Sequence, residues 1–453
     1  MYIERCGLCQ SKNCHQVPVF LELLLLTSWV AESFDRSPRA YQFSTMSMSN
    51  AKLPEVHAIM ATYSTASQLL HWLRRRVMLF LELGRVKFLL YSPIAYAAGV
   101  TCATAGNSAD SFSLKLFLIG QLFVSCTHML THFFNEYYDF PADLAHQFPS
   151  PWTGGSRVLV SGRVLPNTSY WFGWAMTAVS MSLVFGGFPS VETKVLGVVI
   201  IIFSIGYSAP PLEMGTNGLG EFDVMLVLNT LVPLLGFLLH RNGESDPSLL
   251  LWLLPPAVVE FVRMMVMNMA DVVGDTRARK LTLVVRLGLD RSVFVHLIGM
   301  TVAYLCLVGL FLGGIIPVTP FLLQVATLPM AGFICHRLYF QKDYLSLPKF
   351  YNLPYLSTQH NGLILLAALL GLAISDDHRR MSSSLSQIRL LAAYLFFIQN
   401  GLKAWKGWRN GNLSLVFNPE ISKADRSAKS EQIGQWEGAI EQATRPFSHN
   451  HSD

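Results

Sequence analysis

The chain has 453 residues, 51% of them hydrophobic and 14% charged, with a formal net charge of +5. Soluble domains carry nearer a quarter charged residues, so this composition excludes a soluble multi-domain protein despite the length. Basic residues gather at the ends of apolar segments rather than on one polar face, which excludes a nucleic-acid footprint and fits membrane orientation and phosphate contact.

Residues 1–70 read as an N-terminal extension. Its Cys6, Cys9, Cys14 and His15 match no standard zinc-finger spacing. The apolar run from Val17 to Val30 is short, contains Glu22 and lacks a cleavage site. Residues 33–67 are rich in Ser, Thr and Met without period, and disorder is expected there. Seven cysteines in all, an odd and scattered set, give no disulfide framework. His71 to Lys87 combines arginines with an apolar face and suits a helix lying on the membrane surface.

Nine apolar segments follow, at 87–105, 114–134, 168–187, 194–208, 222–239, 249–268, 293–313, 317–335 and 360–375. They predict an all-α polytopic bundle of about nine transmembrane helices around a central cavity, occupying 71–376 and embedded in the lipid bilayer. Residues 377–453 form a C-terminal segment with a further apolar stretch at 385–402, which either crosses or lies flat, and a polar tail. One side of the bundle receives Arg74, Arg75, Arg76 and Arg85 ahead of the first segment, and Arg277, Arg279 and Lys280 after the sixth. By the positive-inside rule that side faces the cytosol, within the endoplasmic reticulum or another organelle membrane.

The chemistry-bearing residues stand on that side. Asn135, Asp139 and Asp143 are spaced four apart at the end of the second segment, and Asn268, Asp271 and Asp275 end the sixth. Asp139 to Asp271 and Asp143 to Asp275 share one offset, 132 positions, the mark of an internal duplication. His128, His132, Asn135 and Asp139 fall within about 60° on one helical face. Pro141 is expected to break that helix and leave Asp143 on a loop. Charges at membrane depth cost roughly 2.5–3.5 kcal/mol unless they face a wet cavity or a partner. Clustered carboxylates call for a hard divalent cation. Mg²⁺ takes carboxylates plus phosphate oxygens, so a diphosphate is the natural third party, with Asp139, Asp143, Asp271, Asp275 and Asn135 as ligands. His132 is expected to line the cavity, where a histidine can serve as a base. Glu260 shares a face with Asp271 and Asp275 and can pair with Arg263.

These motifs resemble a known family. NEYYDFPAD with GGSRVLVSGRV, YSAPP with GLGE, and NMADVVGD with RKLTLVVRLG together resemble the UbiA superfamily of intramembrane prenyltransferases, which includes UbiA-type terpene cyclases. The resemblance runs over roughly residues 75–375. It implies Mg²⁺-dependent transfer of a prenyl group from a prenyl diphosphate to an aromatic acceptor, in isoprenoid or meroterpenoid biosynthesis. The alternative within the superfamily is cyclisation without an acceptor. A transporter is a third reading, disfavoured because the acids lie at span ends rather than midplane. The resemblance also implies diphosphate contacts from Arg157, Lys280 and Arg286, substrate contacts from Asn135 and Asn268, and a pocket position for Tyr207. The chain departs from the pattern at Glu213, Gly215 and Asn217, where many relatives carry basic residues, so that loop is not expected to hold diphosphate.

Overall fold

The structure, a computed structural model, describes residues 69 and 73–375, with interruptions at 90, 105–111, 147–148, 150–151, 242–244 and 351. The N-terminal cysteine cluster, most of the 1–70 extension and the 385–402 stretch lie outside the described residues. Among the described residues all regular structure is helical.

In chain order the helices are α1 (73–83), α2 (Tyr91–Thr104), α3 (Leu114–Tyr138), α4 (Phe140–Ala145), α5 (Pro166–Gly187), α6 (Val191–Gly206), α7 (Gly220–His240), α8 (Pro247–Arg277), α9 (Leu283–Leu287), α10 (Leu289–Leu312), α11 (Val318–Phe340) and α12 (Leu353–Ser375). Helices α3, α7, α8, α10 and α11 are long and apolar enough to cross a bilayer, which makes this a multi-pass membrane protein. Helices α2 and α6 have 14 and 16 residues, short of a straight crossing. Helices α5 and α12 are longer but interrupt their apolar runs, α12 with Ser-Thr-Gln-His-Asn at 357–361.

Local chemistry sets the helix ends. Ser113 Oγ accepts from the Leu116 amide to open α3. Ser190 and Thr193 close a reciprocal capping box on α6. Helix α8 starts as a 3₁₀ turn capped by Asp246, and Pro255 and Pro256 sit in the first turn of its α-helical part, where the missing N–H costs nothing. Large apolar side chains remain exposed at helical spacing, among them Leu114, Leu118 and Leu122 on α3 and Phe294, Ile298 and Val302 on α10. Such stripes on a membrane bundle face lipid. Gly99 brings α2 close to α7, since a Cβ there would lie 1.8 Å from the Pro233 carbonyl oxygen.

Three sequence expectations are corrected. Asp143 lies on the short helix α4, not on a loop. Pro141 takes an N-terminal position of α4, where proline fits, so the chain re-forms a helix after one turn residue at Asp139. Helix α8 runs on through Asp271 and Asp275 to Arg277, because no proline interrupts it. The two acid motifs therefore share spacing but not backbone. Helix α12 begins at Leu353 rather than 360, its polar first half having hidden it from an apolarity count.

Candidate active site

The acid motifs end at one cavity of about 190 Å³, lined from α2, α3, α4, α6, α7, α8 and α12 and by the 152–155 loop. Asp139, Asp143, Asp271, Asp275, Asn135, Asn268 and Lys280 all face it, as do Tyr207, His132 and Glu260.

Lys280 joins the two motifs. Its Nζ donates to Asp139 Oδ2 at 2.8 Å and lies 3.8 Å from Asp275 Oδ1. The turn after α8 aims it: Arg279 adopts φ +57°, and the Lys280 amide returns to the Asp275 carbonyl at 2.8 Å. Burial pushes the Lys280 ammonium toward neutrality, but the Asp139 and Asp275 carboxylates outweigh it and hold its pKa above the ordinary range. Asn135 Nδ2 donates to Asp139 Oδ2 and, at 3.3 Å, to Ser208 Oγ. His146, buried beside α4, lies 2.8 Å from Asp271 Oδ1 through Nε2.

Asp143 is 9% exposed. Burial raises its pKa to about 8, with Arg85 opposing the rise and Glu136, Asp139 and Asp271 adding to it. The double glycine of the 152–155 loop is required here, since a Cβ on Gly155 would stand 2.1 Å from Asp143 Oδ2, and Gly154 and Gly155 have φ of +77° and +74°.

Arg85 also lines the cavity. Its Nε donates to Glu136 Oε1 at 2.7 Å, and Ser156 donates to the same carboxylate through its amide and its hydroxyl, each at 2.6 Å. Glu136 thus fixes both the arginine and the glycine loop from α3.

Deeper in the bundle the walls stay partly polar. The His128 and His132 rings stack with centroids 4.9 Å apart. Arg263 forks onto Glu260, donating Nε at 2.9 Å to Oε2 and Nη2 to Oε1, and Asn361 Nδ2 donates to the same Glu260 carboxylate. Asn268 Nδ2 donates to Glu221 Oε1 at 2.8 Å. The expected Glu260–Arg263 pair is present.

Two expected diphosphate contacts do not face the cavity. Arg157 donates through Nη1 to the backbone carbonyl of Asp143, so it ties the glycine loop to α4. Arg286 is exposed, and its Nε donates to the Leu281 carbonyl at 2.9 Å. Helix α9 buries Val284, and a residue two positions on points to the opposite side. Sequence reasoning missed Arg85, Glu136, His146, Asp223 and Asn361. Asp223 and Asn361 had a legible signal, a polar group inside an apolar segment; Arg85 was counted only as an orientation charge.

The donor set fits a hard divalent cation. All four aspartates offer oxygen, and Asp275 Oδ2 is buried with no hydrogen-bond partner. Among the described residues no three His, Cys, Asp or Glu side chains converge closely enough to hold an ion by themselves. Mg²⁺ seldom has an all-protein cage and completes its shell with water and phosphate oxygens, which is the arrangement these acids allow.

The chain is similar to known proteins. The sequence model of the UbiA prenyltransferase family matches residues 93–375. A curated relative, 1,4-dihydroxy-2-naphthoate octaprenyltransferase of Bacillus subtilis (strain 168), is 23% identical over 241 residues, covering 51% of this chain and 76% of the relative. Similar solved structures include a UbiA homologue from Archaeoglobus fulgidus bound to GPP and Mg²⁺, with TM-score 0.46 and 14% identity over 65% of this chain and 99% of that one. Another is an apo UbiA homologue from Aeropyrum pernix K1, with TM-score 0.49 and 13% identity over 64% of this chain and 98% of that one.

Proposed function

The chain belongs to the UbiA prenyltransferase family, and on that premise we propose that it transfers a prenyl group from a prenyl diphosphate to an aromatic acceptor in a Mg²⁺-dependent reaction. The observation that carries the reading is the meeting of four aspartates, from the turn after α3, from α4 and from α8, with Lys280 and Arg85 around one cavity.

Asp139, Asp143, Asp271 and Asp275 supply the oxygen donors for the cation. Bound there, Mg²⁺ would stabilise the charge that develops on a departing diphosphate. Lys280 and Arg85 line the same space, and charge-assisted hydrogen bonds to phosphate oxygens are the strong kind. Breaking the allylic C–O bond sends its electron pair out with the diphosphate and leaves an allylic cation. Phe88, Tyr91 and Trp152 line the cavity, and aromatic rings stabilise a nearby cation. Electrons of the acceptor ring then form the new C–C bond, and the ring loses a proton.

An aromatic acceptor is supported by the curated relative, whose name specifies a dihydroxynaphthoate. Cyclisation without an acceptor uses the same ionisation, and one observation favours keeping it: of the Tyr207–Leu219 loop only Tyr207 lines the cavity. The basic residues around the acid motifs favour a cytosolic orientation within an intracellular membrane.

The test is to incubate the purified protein with labelled prenyl diphosphates of several lengths, with and without a hydroxylated aromatic acid. Acceptor-dependent label transfer is expected. Hydrocarbon release without acceptor would replace transfer by cyclisation, and no consumption of any prenyl diphosphate would remove both.

A further inference from the structure

The acids and Lys280 occupy only the outer level of the cavity. Two hydrogen bonds set the depth of its inner level. Asn268 Nδ2 reaches Glu221 Oε1 at 2.8 Å, and Asn229 Nδ2 reaches the Pro256 carbonyl at 3.0 Å. These contacts pair 221 with 268 and 229 with 256, so α7 and α8 run antiparallel. Asp223 of α7 then stands level with Met264 and Met265 of α8. That level is about six residues of helix, ~9 Å, inward from Asp271.

Asp223 is unusual for that depth. It lies within a membrane-spanning helix, is 3% exposed and lines the cavity. Its Oδ1 is buried and has no hydrogen-bond partner. No ion pair among the described residues includes it, whereas Glu260, about one turn further in, is answered by Arg263 and Asn361. A carboxyl left without a partner inside a membrane span is costly, and such groups turned to a cavity mark ligand positions. On α12, across the cavity, Asn361 Oδ1 is likewise buried with no partner. The inner level therefore presents oxygen acceptors that the protein itself leaves unsatisfied.

We propose that Asp223 is the acceptor-binding residue of the inner level of the cavity, taking a hydrogen bond from a ring hydroxyl. The assignment rests on the prenyl-transfer reading and adds a binding residue to it. A hydroxyl supplies the donor that Asp223 lacks and is small enough to be buried with it. Accepting that hydrogen bond also pushes electron density into the ring, which makes the ring carbon a better nucleophile toward the allylic cation. Asp223 is an acceptor-binding residue here, and the prenyl diphosphate lies outside its reach.

The test uses the purified full chain and two probes that differ only in the hydroxyl hydrogens, 1,4-dihydroxynaphthalene and 1,4-dimethoxynaphthalene. The diol is expected to raise the Tm of the wild type at a concentration where the diether does not. In Asp223→Leu that difference disappears and the acceptor KM rises by about 3- to 10-fold, the loss of one hydrogen bond, while the donor KM stays unchanged. Asp223→Asn, which keeps an oxygen acceptor, falls between the two and carries the test if the leucine variant does not fold. Equal stabilisation by both probes in the wild type, full discrimination in Asp223→Leu, or a donor KM that moves with the acceptor KM would each overturn the assignment. Discrimination between the probes in a protein that consumes no prenyl diphosphate would keep the subsite and remove the transferase reading instead.

Discussion

Lys280 Nζ lies 2.8 Å from Asp139 Oδ2 and so ties the end of α8 to the end of α3 through one partly buried ion pair. The same ammonium stands 3.8 Å from Asp275, the last acid of the second motif. One cation thus bridges carboxylates that would otherwise repel across the cavity.

Lys280→Met should separate two effects. Diphosphate binding should weaken by about 10- to 100-fold, as for a lost charge-assisted contact. The metal-free protein should also melt earlier, because Asp139 and Asp275 lose their shared counter-ion. Added Mg²⁺ should therefore raise the Tm of the variant by more than that of the wild type. A variant with weaker diphosphate binding but an unchanged response to Mg²⁺ would show that Lys280 serves substrate alone.

The two arginines and the lysine first grouped as phosphate contacts should now divide. Arg157→Ala frees the glycine loop from the Asp143 carbonyl, so it should lower Tm and turnover together. Arg286→Ala should leave the donor KM unchanged, since its side chain is exposed on α9. Steady-state kinetics with one prenyl diphosphate, beside a melting curve for each variant, checks both. A raised donor KM in Arg286→Ala, at normal Tm, would contradict the geometry.

The acids, Asn135 and Asn268 were legible because their spacing and their place at span ends depend only on helical period, and Lys280 was legible through the family resemblance. So was the helical bundle, since apolar runs report lipid directly. The direction of Arg157 and Arg286 was not legible. Arg157 takes φ +64° in a tight loop, and Arg286 sits on a helix whose buried face is set by Val284. Neither a motif nor a hydropathy pattern encodes that choice. Glu136 and Arg85 escaped for a related reason: their partnership joins residues 51 positions apart, and only the packed bundle brings them together.

Asp143 gives the metal-free protein a defined pH dependence. Its folded pKa is about 8 against an ordinary 3.8, so between those values the native state keeps a proton that the unfolded chain has lost. Unfolding then releases a proton, and stability falls as pH rises from about 4, with the full penalty reached above about 8. The slope should approach about 1.4 kcal/mol per pH unit in the middle of that window. Asp143→Asn should flatten it. Denaturant melts in EDTA at several pH values measure the effect, and an identical slope in the asparagine variant would assign the dependence to another group.

The shared cavity makes its strongest prediction about paired substitutions. Asp139→Asn and Asp271→Asn each keep the side-chain shape and an oxygen but remove the charge that binds a cation. Each acid has its own protein partners: Lys280 and Asn135 for Asp139, His146 for Asp271. If the acids were only helix-end residues held by those partners, the two losses would be independent and their free energies would add. If both serve one metal-bound diphosphate, each single variant should lose most turnover, and the double variant should be little worse than either. Groups that act as a unit behave in this way. EDTA should abolish wild-type turnover and Mg²⁺ restore it, with the restoring concentration raised in both single variants. Asp139→Asn also leaves Lys280 with Asp275 alone, so its melting temperature must be read beside its rate. Normal turnover in either single variant, or strictly additive losses in the double, would separate the two motifs and return them to structural roles.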